Sequence, residues 1–95
     1  MKQKNIKRYY AVFHGNVQGI GFRFFAQREA GQCNLKGWVR NRPDGSVDIE
    51  VDGEESEVMR FIENLKTKHP WAHVSQVMCE ERSLIKPYTE FRITF

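Results

Sequence analysis

The stretch that most restricts this chain is Phe13–Phe25, FHGNVQGIGFRFF. It holds Gly15, Gly19 and Gly21 within seven residues and sets Arg23 among Phe22, Phe24 and Phe25. Glycine weakens helices and strands alike, so the cluster belongs between two elements. The run before it, Ile6 to His14, is rich in Tyr, Val and Phe and predicts a first strand. After it, Phe22, Phe25, Ala26, Ala30 and Cys33 fall on one face of a helix running from about Gly21 to Cys33. Asn34 suits the left-handed residue that ends a helix. A glycine-rich link from a strand to a helix N-terminus is a recurrent anion cradle, because bare amides and the helix dipole both favour negative charge. The spacing G-x3-G-x-G is neither the dinucleotide fingerprint nor the P-loop pattern. Taken alone, it is equally a tight connection.

Arg23 shifts that balance. It falls in the first helical turn, where the helix end is already positive and a cation is disfavoured by roughly 0.3–1 kcal/mol. A bound anion reverses the penalty, since a guanidinium can grip two phosphate or carboxylate oxygens at once. The competing reading is an arginine whose stem lies over Phe22 and Phe24 with its head in water.

The rest of the chain supplies the frame. Leu35 to Asn41 predicts a second strand and Ser46 to Asp52 a third, joined by the turn RPDGS. In the third, Val47, Ile49 and Val51 alternate with Asp48, Glu50 and Asp52, which predicts one buried and one wet face. Asp52 or Gly53 can cap a second helix, whose positive end Glu54, Glu55 and Glu57 suit. Val58, Phe61, Ile62 and Leu65 give its apolar face. It runs to about Lys68, with Lys66, Lys68 and His69 near its negative end and Pro70 stopping it. Val74 to Arg82 predicts a fourth strand, Ser83 to Thr89 a polar connection, and Glu90 to Phe95 a short final strand. The order β-α-β-β-α-β predicts an α+β, ferredoxin-like sandwich. Its sheet is antiparallel with core order 4-1-3-2, both helices lie on one face, and an extra short strand closes the chain. One domain is expected to span residues 1–95, with residues 1–6 as a frayed lead-in. Many unrelated activities share this topology, so it does not choose among them.

Composition narrows the choice. The 95 residues are 40% apolar and 13% aromatic, as in a folded globule. Mean hydropathy is -0.62, and no apolar run is long enough for a membrane-spanning helix. Met1 to Lys7, MKQKNIK, lacks the apolar segment of a signal peptide. Cys33 and Cys79 are then expected as free thiols in a reducing cytoplasm. A net charge of +3 mildly favours anionic partners, whether a small metabolite or nucleic acid.

Two longer motifs are more specific. GNVQGIGFR and GWVRNRPDGSVDIEVDG closely resemble the paired signatures of the acylphosphatase family, and Gly37, Trp38, Val39, Asn41, Gly45, Val47 and Gly53 fall in place in the second. The likeness runs from the first strand to Phe91–Ile93. Three positions depart from the usual pattern. Phe13 stands where a smaller aliphatic is usual, Ile20 replaces the more frequent valine, and Asn16 occupies a position that is often Arg.

The resemblance implies hydrolysis of the carboxyl–phosphate anhydride of small acyl phosphates, such as acetyl phosphate, carbamoyl phosphate or 1,3-bisphosphoglycerate. The products are a carboxylate and inorganic phosphate, which also inhibits. Carried over by motif position, Arg23 binds the phosphate together with the backbone amides of Gly15, Asn16, Val17, Gln18, Gly19 and Ile20. Asn41 orients the attacking water. The resemblance further implies a cytoplasmic monomer with no cofactor, no metal, and neither a nucleic-acid nor a membrane partner.

Other constellations compete less well. His69, His73 and Cys79 could ligate zinc, but Pro70 breaks the helix that would align the histidines, and no fourth ligand is evident. His14 lies beside the loop and is either solvated or a tuner of substrate binding. Trp38 and Trp71 are expected to pack, and Cys33 fits an apolar face better than a nucleophilic role. Without the motif, Asn41 is an ordinary residue flanking a turn. An RNA-recognition module shares the element order, but the third strand is acidic and lacks the aromatics such modules carry there. A catalytically inactive, regulatory version of the acylphosphatase fold is the remaining alternative.

Overall fold

A computed structural model describes residues 5–95; the part of the expected lead-in at residues 1–4 lies outside this range. The elements are β1 (Ile6–Asn16), α1 (Phe22–Gln32), β2 (Lys36–Asn41), β3 (Val47–Glu54), α2 (Glu55–Thr67), β4 (His73–Arg82) and β5 (Phe91–Thr94). Ile6 is already in register with Glu54, so the first strand begins inside the stretch expected to fray. The sheet order is β4-β1-β3-β2-β5. The expected central order is therefore present, and the pairs β1–β3, β1–β4 and β2–β3 are antiparallel.

The sheet as a whole is mixed, because β5 pairs with β2 in parallel. Tracing the chain explains this. The connection after β4 runs along the end of the sheet at which β2 begins, where Arg8 Nη2 donates to the Lys86 carbonyl. A strand starting from that end must run the way β2 runs. The Gly37 amide then donates to the Glu90 carbonyl at 2.9 Å and seats it.

Both helices bury the expected stripes. Phe22, Phe25, Ala26 and Ala30 of α1 meet Val58, Phe61 and Leu65 of α2 and the apolar rows of β1, β2 and β3. Asn34 takes φ 56 after α1, as anticipated for a helix terminator. Neither Asp52 nor Gly53 caps α2. The ladder with β1 carries β3 on to Glu54, whose extended backbone leads into the helix without a side-chain cap. No helix among the described residues is long and apolar enough to cross a membrane.

The expected wet face of β3 is absent. Asp48, Glu50 and Asp52 are 0%, 8% and 4% exposed. Alternation separates two faces but does not say what lies over each, and here neighbouring strands supply a cover. Arg8 grips Asp52 through Nε at 2.7 Å and Nη2 at 2.9 Å. Arg40 grips Asp48 at 3.1 and 2.8 Å, and Arg82 reaches Glu50 at 2.8 Å. Tyr10 donates to Asp48 at 2.7 Å, and Tyr88 donates to Glu50. The arginines lie over aromatic rings in turn, Arg82 on Tyr10, Arg8 on Tyr88 and Arg40 on Trp38. Two-pronged pairs of this kind hold geometry as well as charge.

Burial alone would raise the Asp48 carboxyl, but hydrogen bonds from Arg40 and Tyr10 together outweigh it and bring it below the ordinary aspartate value. A depressed folded pKa stabilises the fold above the unfolded value of about 3.9, and that support is lost as pH falls through the folded value. Asp48→Asn is thus expected to lower stability at pH 7 by about 1–3 kcal/mol. In urea melts the gap to the parent protein should narrow below pH ~4. A gap that stays constant down to pH 2 would contradict this account.

Candidate active site

β1, β2 and β5 end, and β3 and β4 begin, at one end of the sheet. The glycine stretch crosses that end between β1 and α1. Its first two residues are still strand: Gly15 and Asn16 pair with Val74 and His73 after a register shift at His14. A side chain on Gly15 would place its Cβ 2.1 Å from the His73 carbonyl oxygen. The bareness of Gly15 therefore serves the close approach of β1 to β4. Gly19 and Gly21 answer a different need. No atom crowds a Cβ at either, but their φ angles of 78° and 75° are left-handed, which favours glycine.

Three anchors shape the turn between. Val17 is buried in the core. The Gln18 side-chain amide donates to the carbonyls of Arg42 at 2.9 Å and Ser46 at 2.8 Å. His69 Nε2 lies 3.0 Å from the Ile20 carbonyl, and its Nδ1 accepts from the amides of Trp71 and Ala72. With two donors facing Nδ1, the ring satisfies every contact when its proton sits on Nε2. Neither side-chain tie is visible in the sequence, because each ends on a backbone carbonyl that any residue could offer.

Arg23 is the second residue of α1 and half-buried. Its Nη1 donates to the Thr94 carbonyl at 3.3 Å, and its guanidinium lies 4.7 Å from the centre of the Phe95 ring. The support comes from the end of β5, not from Phe22 and Phe24. Phe22 is buried against Phe13 at 5.8 Å, and Phe24 is 65% exposed. Arg23 pairs with no carboxylate among the described residues. Its charge stands next to a positive helix end.

Asn41 closes β2 opposite Val47. Its Oδ1 is buried and meets no hydrogen-bond donor among the described residues. Such an acceptor costs about 1–3 kcal/mol if left alone. Asn41 and Arg23 line one small cleft of about 100 Å³ with Gly19 and Gly21. A larger groove of about 440 Å³ beside Cys33, Lys36 and Tyr88 contains neither Arg23 nor Asn41.

The other candidates take structural places. His69 is engaged with backbone on both ring nitrogens, and among the described residues no three His, Cys, Asp or Glu side chains gather as a metal site. Cys33 is 1% exposed, and burial pushes its thiol up. Trp71 does not pack as expected and is 73% exposed; it touches His69 edge-on at the surface. Trp38 is half-buried and donates to Tyr88 at 2.9 Å. On the helix-free face, Arg82 lies over the ring of Tyr10 and Arg40 over that of Trp38.

The family model for acylphosphatase matches residues 9–93, a span that includes the whole cleft. The chain belongs to the acylphosphatase family. An acylphosphatase of Bacillus pumilus is 40% identical over 85 residues, covering 90% of this chain and 94% of its own length. That of Geobacillus thermodenitrificans is 39% identical over 90 residues, covering 95% and 96%. The crystal structure of acylphosphatase from Bacillus subtilis matches with a TM-score of 0.89 at 35% identity, covering 96% of this chain and 100% of that one. Near-complete mutual coverage makes this chain an enzyme of the acylphosphatase type. Phe13 is fully buried.

Proposed function

We propose that this acylphosphatase hydrolyses small acyl phosphates, with the phosphate seated between Arg23 and the backbone amides of residues 15–20, and the attacking water held by Asn41. Of those amides, Val17 to Ile20 lie in the irregular turn and Gly15 and Asn16 at the end of β1. The observation that carries the reading is that Arg23 and Asn41 line one small cleft beside the glycine turn. A water held on the cleft side of the Asn41 amide stands next to an anion held by the arginine. The chemistry asks for little more. Phosphoryl transfer passes through a loose transition state in which positioning and charge stabilisation dominate. The leaving group is a carboxylate of pKa about 4, which departs without a proton. No general acid is needed, and a neutral amide suffices to fix the water.

In this reading the chain acts as one cytoplasmic domain and a monomer. It needs no cofactor or metal and binds neither nucleic acid nor membrane. Purified protein should consume benzoyl phosphate, followed as loss of the anhydride, with inorganic phosphate as a competitive inhibitor. Activity should survive EDTA. A rate no higher than buffer alone would shift the reading to a binding or regulatory module of the same fold, and strong inactivation by EDTA would revive a metal site.

A further inference from the structure

The side chain of Gln18 has no part in the cradle proposed above, which uses only its backbone amide. Its terminal amide instead spans the mouth of the β2–β3 turn. One nitrogen lies 2.9 Å from the Arg42 carbonyl and 2.8 Å from the Ser46 carbonyl. Those two carbonyls face each other across the turn. The Ser46 carbonyl also accepts from the Arg42 amide at 2.8 Å, and the Arg42 carbonyl accepts from the Gly45 amide at 3.1 Å. A primary amide has two N–H groups, so Gln18 uses its full donor capacity on this turn. Both bonds are partly buried, and they join segments 24 and 28 residues apart. Arg42 directly follows Asn41, so the first bond fixes the Arg42–Pro43 peptide, one residue beyond the water-holding residue.

We infer that Gln18 is a positioning residue that sets the distance between the phosphate-binding turn and Asn41. The inference rests on the assignment of Arg23 and Asn41 to phosphate and water. The turn has two other anchors, Val17 in the core and the Ile20 carbonyl at His69. Its shape and its own amides therefore outlast the loss of the Gln18 side chain. Asn41 sits at the last β2 position before the turn, and β5 pairs with β2 only from Gly37 to Arg40. Without Gln18, the approach of Asn41 to the cradle is governed by the hairpin alone. An error of about 1 Å between reacting groups lowers rates on the order of 100-fold.

The test is a double-mutant cycle between Gln18→Met, which keeps length but removes both donors, and Asn41→Ala. Each protein is assayed with benzoyl phosphate for kcat and KM, and with inorganic phosphate for its inhibition constant. Gln18→Met should lower kcat about ten-fold or more. The phosphate inhibition constant should stay within about three-fold of the parent, and in the Asn41→Ala background the substitution should have almost no further effect. Effects that multiply would overturn the inference, as would a phosphate constant that rises in step with the loss of rate. So would wild-type kcat in Gln18→Met while Asn41→Ala is impaired. If Asn41→Ala itself turns over normally, the water assignment fails and the brace fails with it. Should Gln18→Met not fold, Gln18→Asn, one methylene too short for the span, serves in the same cycle.

Discussion

Arg23→Gln is expected to reduce hydrolysis of benzoyl phosphate by at least about 1,000-fold, the scale on which a phosphate-facing arginine acts. Inhibition by inorganic phosphate should disappear with it, because ground state and transition state share the same charge. The substitution leaves the fold little altered. Glutamine can still reach toward the Thr94 carbonyl, and Arg23 forms no ion pair that would be broken. Removing a cation from the first turn of α1 even relieves an unfavourable interaction of roughly 0.3–1 kcal/mol. Loss of the contact with the Phe95 ring offsets that gain, so activity is expected to collapse while stability changes little. Measuring kcat/KM, phosphate inhibition and the thermal midpoint on one preparation tests both. Retained phosphate inhibition in Arg23→Gln would remove the arginine from the anion site.

Asn41→Ala is the second large effect, and its signature differs. Turnover should fall about 100-fold or more, the usual loss when one preorganised polar group is removed. Phosphate should still inhibit, because the turn and Arg23 are intact. The same change deletes a buried acceptor that lacks a protein partner. Ligand-free Asn41→Ala should therefore melt no lower than the parent protein, and higher if the orphan is as unfavourable as the usual 1–3 kcal/mol. Wild-type turnover in Asn41→Ala would end the water-orienting assignment.

Much of this arrangement was legible in the sequence because it rests on period and spacing. The stripe Phe22, Phe25, Ala26, Ala30 placed α1, and β3 showed its two faces through Val47, Ile49 and Val51. The two long motifs singled out Arg23 and Asn41, which the fold brings into one cleft. What stayed hidden depends on partners remote in sequence. Nothing near Asp48 or Glu50 announces that Arg40, Arg82 and Tyr10 will cover them. The parallel seat of β5 follows from where its connection travels, which residue type does not encode. Gly15 was singled out by its spacing, but the backbone that approaches it belongs to β4, remote in sequence. His69 looked like a charge for a helix end, whereas its ring nitrogens spend themselves on backbone.

The ties around the cleft carry one more consequence. Gln18 reaches 24 and 28 residues ahead, His69 reaches back 49, and Arg23 meets a carbonyl 71 residues away. No contiguous fragment of moderate length holds all of them. Catalytic competence is therefore a property of the finished topology: it arises late in folding, only after the most distant chain segments have met, and it vanishes as one cooperative unit. Turnover in this enzyme reports on the integrity of the entire chain as faithfully as on the chemistry of its cleft.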